Sequence, residues 1–272
     1  MNKKYKNSVQ ITEDRVVKKR KNDLLELYEY LDTVRFDNYP EILDINDREV
    51  TTKYIKETKY HEVSKGTELM KTLSMLHYKT MFFKDVSKNK YKDIYNKLLS
   101  NIEYLTNYYE EAIEEIENEE YMSPSHYLFA RNYSAIDGSL KYAKEELKKW
   151  FKIVEFKSKE RVCINHNNMS LEHFIQGDKN YLLSWDNYFV DTPVLDLYKF
   201  YKKEGYKLDF SYLLKVYNET LLLTEEEKML FNILISIPPK IIKIDDEMSN
   251  TYNIKNTYSY IYSSMGIVSQ NK

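Results

Sequence analysis

Residues 161–200, RVCINHNNMSLEHFIQGDKNYLLSWDNYFVDTPVLDLYKF, set the order in which this chain alternates strand, loop and helix. A short β-branched and aliphatic run at 162–164 leads into a polar loop opening at His166. A turn at Gly177, Asp178, Lys179 and Asn180 then precedes an apolar strand at 181–183, and Asp191-Thr192-Pro193 stands ahead of a helix. Strand, loop, hairpin and helix within forty residues mix α and β elements, and only 5 Gly and 5 Pro in the chain favour a largely helical protein over a sandwich.

The residues inside that frame resemble a phosphotransferase site. His166 to Ile175 is similar to the loop H-G-D-L-x-x-x-N-x-L of aminoglycoside and choline kinases, and Leu182 to Leu197 resembles their L-I-D-W-E...G-D-P...D-L block. The resemblance implies a protein-kinase-like two-lobed α+β fold, with a small reduced β-rich N-lobe (1–58) and a large, mainly helical C-lobe (59–272). It also implies ATP and Mg²⁺ at the cleft and a small-molecule hydroxyl as acceptor.

By that resemblance the base falls at Asn168, one metal ligand at His173 and the main metal carboxylate at Ser184. An Asn amide has no lone pair basic enough to take a hydroxyl proton. Imidazole suits zinc or copper better than Mg²⁺, and a serine hydroxyl brings no charge to a place that needs a hard anionic ligand. These degenerate positions imply a pseudokinase with no catalytic residues, no metal and no cofactor, acting as a binding or scaffold module for an unknown protein or small molecule. His166 and Asp196 survive as supports of the loop, and Asp196 is expected to accept hydrogen bonds from the loop backbone or from His166.

A shifted register offers an active alternative, with Asp186 as the metal ligand for ATP and Mg²⁺. Counting from Ser184 instead keeps Trp185, Pro193, Asp196 and Leu197 in step with the family block. A third alternative is a helical interaction protein unrelated to kinases, with His166, His173 and their asparagines merely satisfying loop backbone.

The first 65 residues contain no glycine, whereas a loop covering phosphates needs glycine for close backbone approach. Residues 8–11 and 15–19 read as a hairpin, 23–34 as a helix capped by Asp23 with Leu24, Leu27, Tyr28 and Leu31 on one face, and 42–45 and 50–55 as two further strands. With about ten residues before the hairpin, the family's first strand and loop are expected to be missing. Lys18 or Lys19 falls near the family's phosphate-pairing lysine, and Glu26 or Glu29 near its helix partner. A solvated basic strand and an ordinary charged helix face account for the same residues.

Beyond residue 60 the pattern is helical. Expected helices cover 69–82, 104–121, 139–150, 209–222 and 228–237, the last behind a Thr224/Glu227 capping box, with a break at Ser123-Pro124-Ser125. His77, within a string resembling the L-A-x-L-H-x-x-T of spore-coat kinase-like proteins, reads as a packed helix histidine. The acidic run 110–120 alternates with apolar residues at helical spacing and reads as a solvated face rather than a metal site.

Composition narrows the classes. With 41 basic and 43 acidic residues and a net charge of −2, the chain lacks the field of a nucleic-acid binder. A single cysteine, Cys163, excludes an intrachain disulfide and a Cys-rich zinc site. No apolar run approaches a membrane span and no apolar leader follows the basic N-terminus, so a cytoplasmic protein is the expectation, and the spore-coat resemblance implies a bacterial one.

Overall fold

The computed structural model describes residues 4–6, 9–19, 24–58 and 62–270. In chain order the elements are β1 (Lys4–Lys6), β2 (Val9–Ile11), β3 (Arg15–Lys19), α1 (Leu25–Thr33), β4 (Ile42–Ile45), β5 (Glu49–Lys53), α2 (Glu62–Thr80), β6 (Phe82–Asp85), α3 (Lys90–Glu117) and α4 (Pro124–Val154). There follow β7 (Lys159–Asn165), β8 (Phe174–Gln176), β9 (Asn180–Leu182), β10 (Phe189–Asp191), α5 (Val194–Lys203), α6 (Phe210–Asn218), α7 (Glu225–Ser236) and α8 (Glu247–Gln270).

By compactness the chain divides into two units. One comprises Met1–Phe82, Arg161–Phe200 and Tyr212–Leu222, and the other Phe83–Glu160, Tyr201–Ser211 and Leu223–Lys272. The expected lobe boundary at 58/59 falls inside the first.

The first unit carries a five-stranded sheet in the order β1-β2-β3-β5-β4, antiparallel throughout. The β2–β3 turn closes through Thr12 N–H on Arg15 O at 2.9 Å. In the β4–β5 turn the Asn46 side chain accepts from the Arg48 and Glu49 amides at 3.0 and 2.9 Å, the local bond that makes asparagine a turn residue. α1 buries the expected face, Leu24, Leu27, Tyr28 and Leu31. It ends where Arg35 turns left-handed (φ 57°) and Phe36 N–H reaches back to Leu31 O at 2.8 Å, closing carbonyls the helix end leaves open. Asp23, its expected cap, lies outside the described residues, as do Ser8 and Tyr60.

The expectation of a missing first strand is wrong. β1 pairs with β2, Lys4 opposite Ile11 and Lys6 opposite Val9. Its sequence, KYK, has no apolar alternation because an edge strand is held by backbone bonds, and side-chain periodicity carries no trace of those. Only Asn7 and Ser8 join the two strands.

Helices α2, α3 and α4 begin earlier than expected, α3 running over Lys90–Glu117 where 104–121 was expected. α2 starts at Glu62 and runs through Gly66, while Phe82 belongs to β6. α4 starts at Pro124, because Ser123 caps it by accepting from His126 N–H and Pro124 takes the first-turn position, where a missing N–H costs nothing. The Ser-Pro-Ser break is thus a helix start, and 139–150 is only its C-terminal half.

The second unit is built around α4, against which α3, α7 and α8 pack. Ser139 Oγ donates to Ser236 O at 2.7 Å, and Tyr258 OH to Phe129 O at 2.9 Å. Phe210 stacks on Phe231 beside Tyr201. The Thr224/Glu227 capping box forms as expected and opens α7. Among the described residues no helix is long and apolar enough to cross a membrane.

Candidate functional site

Every residue of the site belongs to the first unit. β7 runs into the loop at His166, and β8 and β9 form the hairpin turning at Gly177, whose amide donates to Lys179 O at 2.9 Å. β10 pairs back onto β7, Phe189 opposite Asn165 and Asp191 opposite Cys163. This returns the chain beside its own loop and starts α5 there.

Asp196, in the first turn of α5 and fully buried, holds the loop. Its two oxygens accept from the backbone amides of His166 at 2.6 Å and Asn167 at 2.7 Å. His77 of α2, also fully buried, brings Nε2 to 3.3 Å from the same carboxylate, while its Nδ1 lies 2.7 Å from the Tyr217 hydroxyl. A carboxylate only accepts, so Nε2–H donates to Asp196. Thr80 of the same helix accepts from Ile164 N–H at 3.1 Å. Sequence reasoning read His77 only as a packed helix histidine and did not name Tyr217, since nothing local marks two residues that meet across 140 positions.

His166 makes an edge-on ring contact with Trp185 at 4.7 Å and 81°. Burial pushes its imidazole down to about 4, outweighing the upward pull of the Asp196 carboxylate, so the ring is neutral at pH 7. Asn167 sits left-handed (φ 64°) and donates through Nδ2 to Asn187 O. His173 Nδ1 lies 2.9 Å from Asn168 O and 3.2 Å from Ser170 Oγ. A carbonyl only accepts, so that nitrogen carries the proton and is committed to the loop.

Ser184 is left-handed as well (φ 66°, ψ 58°), a conformation costing a residue with a Cβ about 1 kcal/mol. The turn places Trp185 in the core, 2% exposed, with its indole N–H on Leu182 O at 2.9 Å, and puts Asp186 beside it on the wall of a cavity. Asp186 reaches Lys18 of β3 and pairs with it. The two side chains are 11% and 28% exposed. Burial and the Asp186 charge together push the Tyr28 hydroxyl well above its ordinary range.

Lys18 and Asp186 line a cavity of about 260 Å³. Val9, Ile11 and Val16 of the sheet, Leu24 and Tyr28 beside α1, and Leu183, Ser184 and Trp185 complete much of its wall. Asn168 and His173 do not line it. Lys19 does, but of the adjacent pair Lys18 is the one that meets Asp186. Glu26 and Glu29 stand on the exposed side of α1, because the 3.6-residue period that buries 24, 27, 28 and 31 turns 26 and 29 outward. The partner of Lys18 is therefore Asp186 rather than a helix glutamate. Among the described residues no three His, Cys, Asp or Glu side chains gather as a metal-binding group.

Neither a family model nor a curated protein matches the sequence. Solved structures do. An aminoglycoside phosphotransferase from Alicyclobacillus acidocaldarius superposes with a TM-score of 0.68 at 6% identity, over 99% of this chain and 91% of that one. This chain has the aminoglycoside phosphotransferase fold. A spectinomycin phosphotransferase in complex with AMP is similar at a TM-score of 0.55 and 12% identity, over 94% and 89% of the two chains. The small N-terminal β region and the large helical remainder are those of the kinase-like two-lobed α+β class. Identity this low carries the aminoglycoside phosphotransferase fold and no particular substrate.

Proposed function

We propose that this chain is a catalytically inactive, kinase-like binding or scaffold module. The observation that carries the reading is the Lys18–Asp186 pair. Among the described residues, the carboxylate on the cavity wall, Asp186, is spent on the lysine that the family resemblance would offer to phosphate. Ser184 adds only a neutral hydroxyl, and the His173 nitrogen nearest the loop is bound to Asn168 O. Asn168 has no basic group and stands away from the cavity wall. This donor set does not fit Mg·ATP, since Mg²⁺ takes hard oxygen ligands and keeps them in octahedral order.

A melting experiment tests the proposal. Nucleotide at 100 times its Kd would stabilise the fold by about 2.7 kcal/mol, a rise of several degrees for a chain of this size. The expected result is no Mg·ATP-dependent rise, and a clear rise would count strongly against inactivity.

One observation favours a second reading. Asp186 does reach the cavity beside Lys18, as an active small-molecule hydroxyl kinase using Asp186 as its metal ligand would require. That reading expects the purified protein to consume ATP with a hydroxyl substrate and Asp186→Asn to abolish the activity; activity indifferent to the substitution would sink it. The resemblance to spore-coat kinase-like proteins supports a bacterial, cytoplasmic setting, and a pull-down from such a background is the route to an unknown protein partner.

A further inference from the structure

We infer that the cavity takes a small apolar molecule bearing one negative charge, bound at Lys18 in competition with Asp186; this rests on the inactive reading above. Among the described residues, the charged side chains on the cavity wall are Lys18, Lys19 and Lys53 against Asp186. Much of the remaining wall is aliphatic or aromatic, Val9, Ile11, Val16, Leu183 and Trp185 among it. An apolar wall with a local excess of positive charge complements a compact apolar anion. It complements a ribose and a triphosphate poorly, because their many polar groups would lose water without finding partners.

The ion pair describes how such an anion is held. Asp186 is itself an anion seated on Lys18 from within the chain, both partners largely withdrawn from water. An incoming carboxylate or sulfonate takes the same ammonium group and displaces the Asp186 carboxylate. Asp186 thereby sets the affinity of the site, and removing its charge strengthens binding instead of destroying it. The active-kinase reading demands the reverse for the same substitution.

The test is a fluorescence titration of the full chain with 8-anilinonaphthalene-1-sulfonate and with its uncharged relative N-phenyl-1-naphthylamine, with circular dichroism confirming the fold. The sulfonate is expected to bind saturably and about tenfold more tightly than the neutral dye. Asp186→Asn should tighten the sulfonate by about tenfold and Lys18→Met loosen it by about as much, the neutral dye responding to neither. Equal affinity for the two dyes on the unaltered chain overturns the inference, as does an Asp186→Asn protein that binds the sulfonate no better. Should Lys18→Met fail to fold, those two comparisons decide alone. A Mg·ATP-dependent rise in melting temperature sinks the inactive reading itself, whereas an inert Mg·ATP with indifferent dyes sinks only the proposed ligand class.

Discussion

Asp196→Ala is expected to lower folding stability by about 3–5 kcal/mol, the range for removing one partner from a buried charged network. The carboxylate is fully buried and satisfies two backbone amides at 2.6 and 2.7 Å as well as facing His77. Each orphaned buried donor costs about 1–3 kcal/mol, and alanine supplies no acceptor. Urea unfolding should show a lower midpoint at an unchanged slope, as for a loss of stability without loss of compactness. Asn keeps one acceptor oxygen and turns an amide N–H₂ towards a backbone donor, so Asp196→Asn should fall between. A loss below about 1 kcal/mol for alanine would mean that β7 and β10 hold the loop without this brace.

Trp185→Ala should cost a similar amount, about 3–5 kcal/mol for emptying a large core site. The indole is 2% exposed, meets His166 at 4.7 Å and Phe36 edge-on at 6.2 Å, and donates to Leu182 O. The left-handed turn at Ser184 is tolerated because this ring anchors the residue that follows it. Trp185→Phe keeps most of the apolar contact and gives up the N–H, so it should lose less than half as much. Chemical denaturation of the two variants in parallel measures the difference, and equal losses would assign the cost to the hydrogen bond instead of to packing.

What the sequence made legible was local. The apolar face of α1, the turn at Gly177 and the Thr224/Glu227 capping box each announce themselves within a few residues, and each stands where the spacing places it. β1 was hidden because three residues paired through backbone leave no side-chain period, and the start of α4 because Ser-Pro-Ser reads equally as a break and as a cap. The resemblance singled out Ser184, Asp186 and Asp196, but it carried nothing of their bonding. Lys18 finds Asp186, and His77 finds Tyr217, through topology alone, whereas Glu26 and Glu29 stand on the ordinary charged helix face that the period of α1 already allowed.

The Lys18–Asp186 pair spans 168 residues of chain, and this separation bears on how the protein is made. At roughly 5–20 residues per second of synthesis, β3 emerges from the ribosome about ten to thirty seconds before its partner. Throughout that interval the sheet can form its own ladder but cannot be pinned, and its cavity side lies open to water. Completion of the cleft is thus a late event in the life of each new molecule, awaiting a loop made long after the strands it fastens.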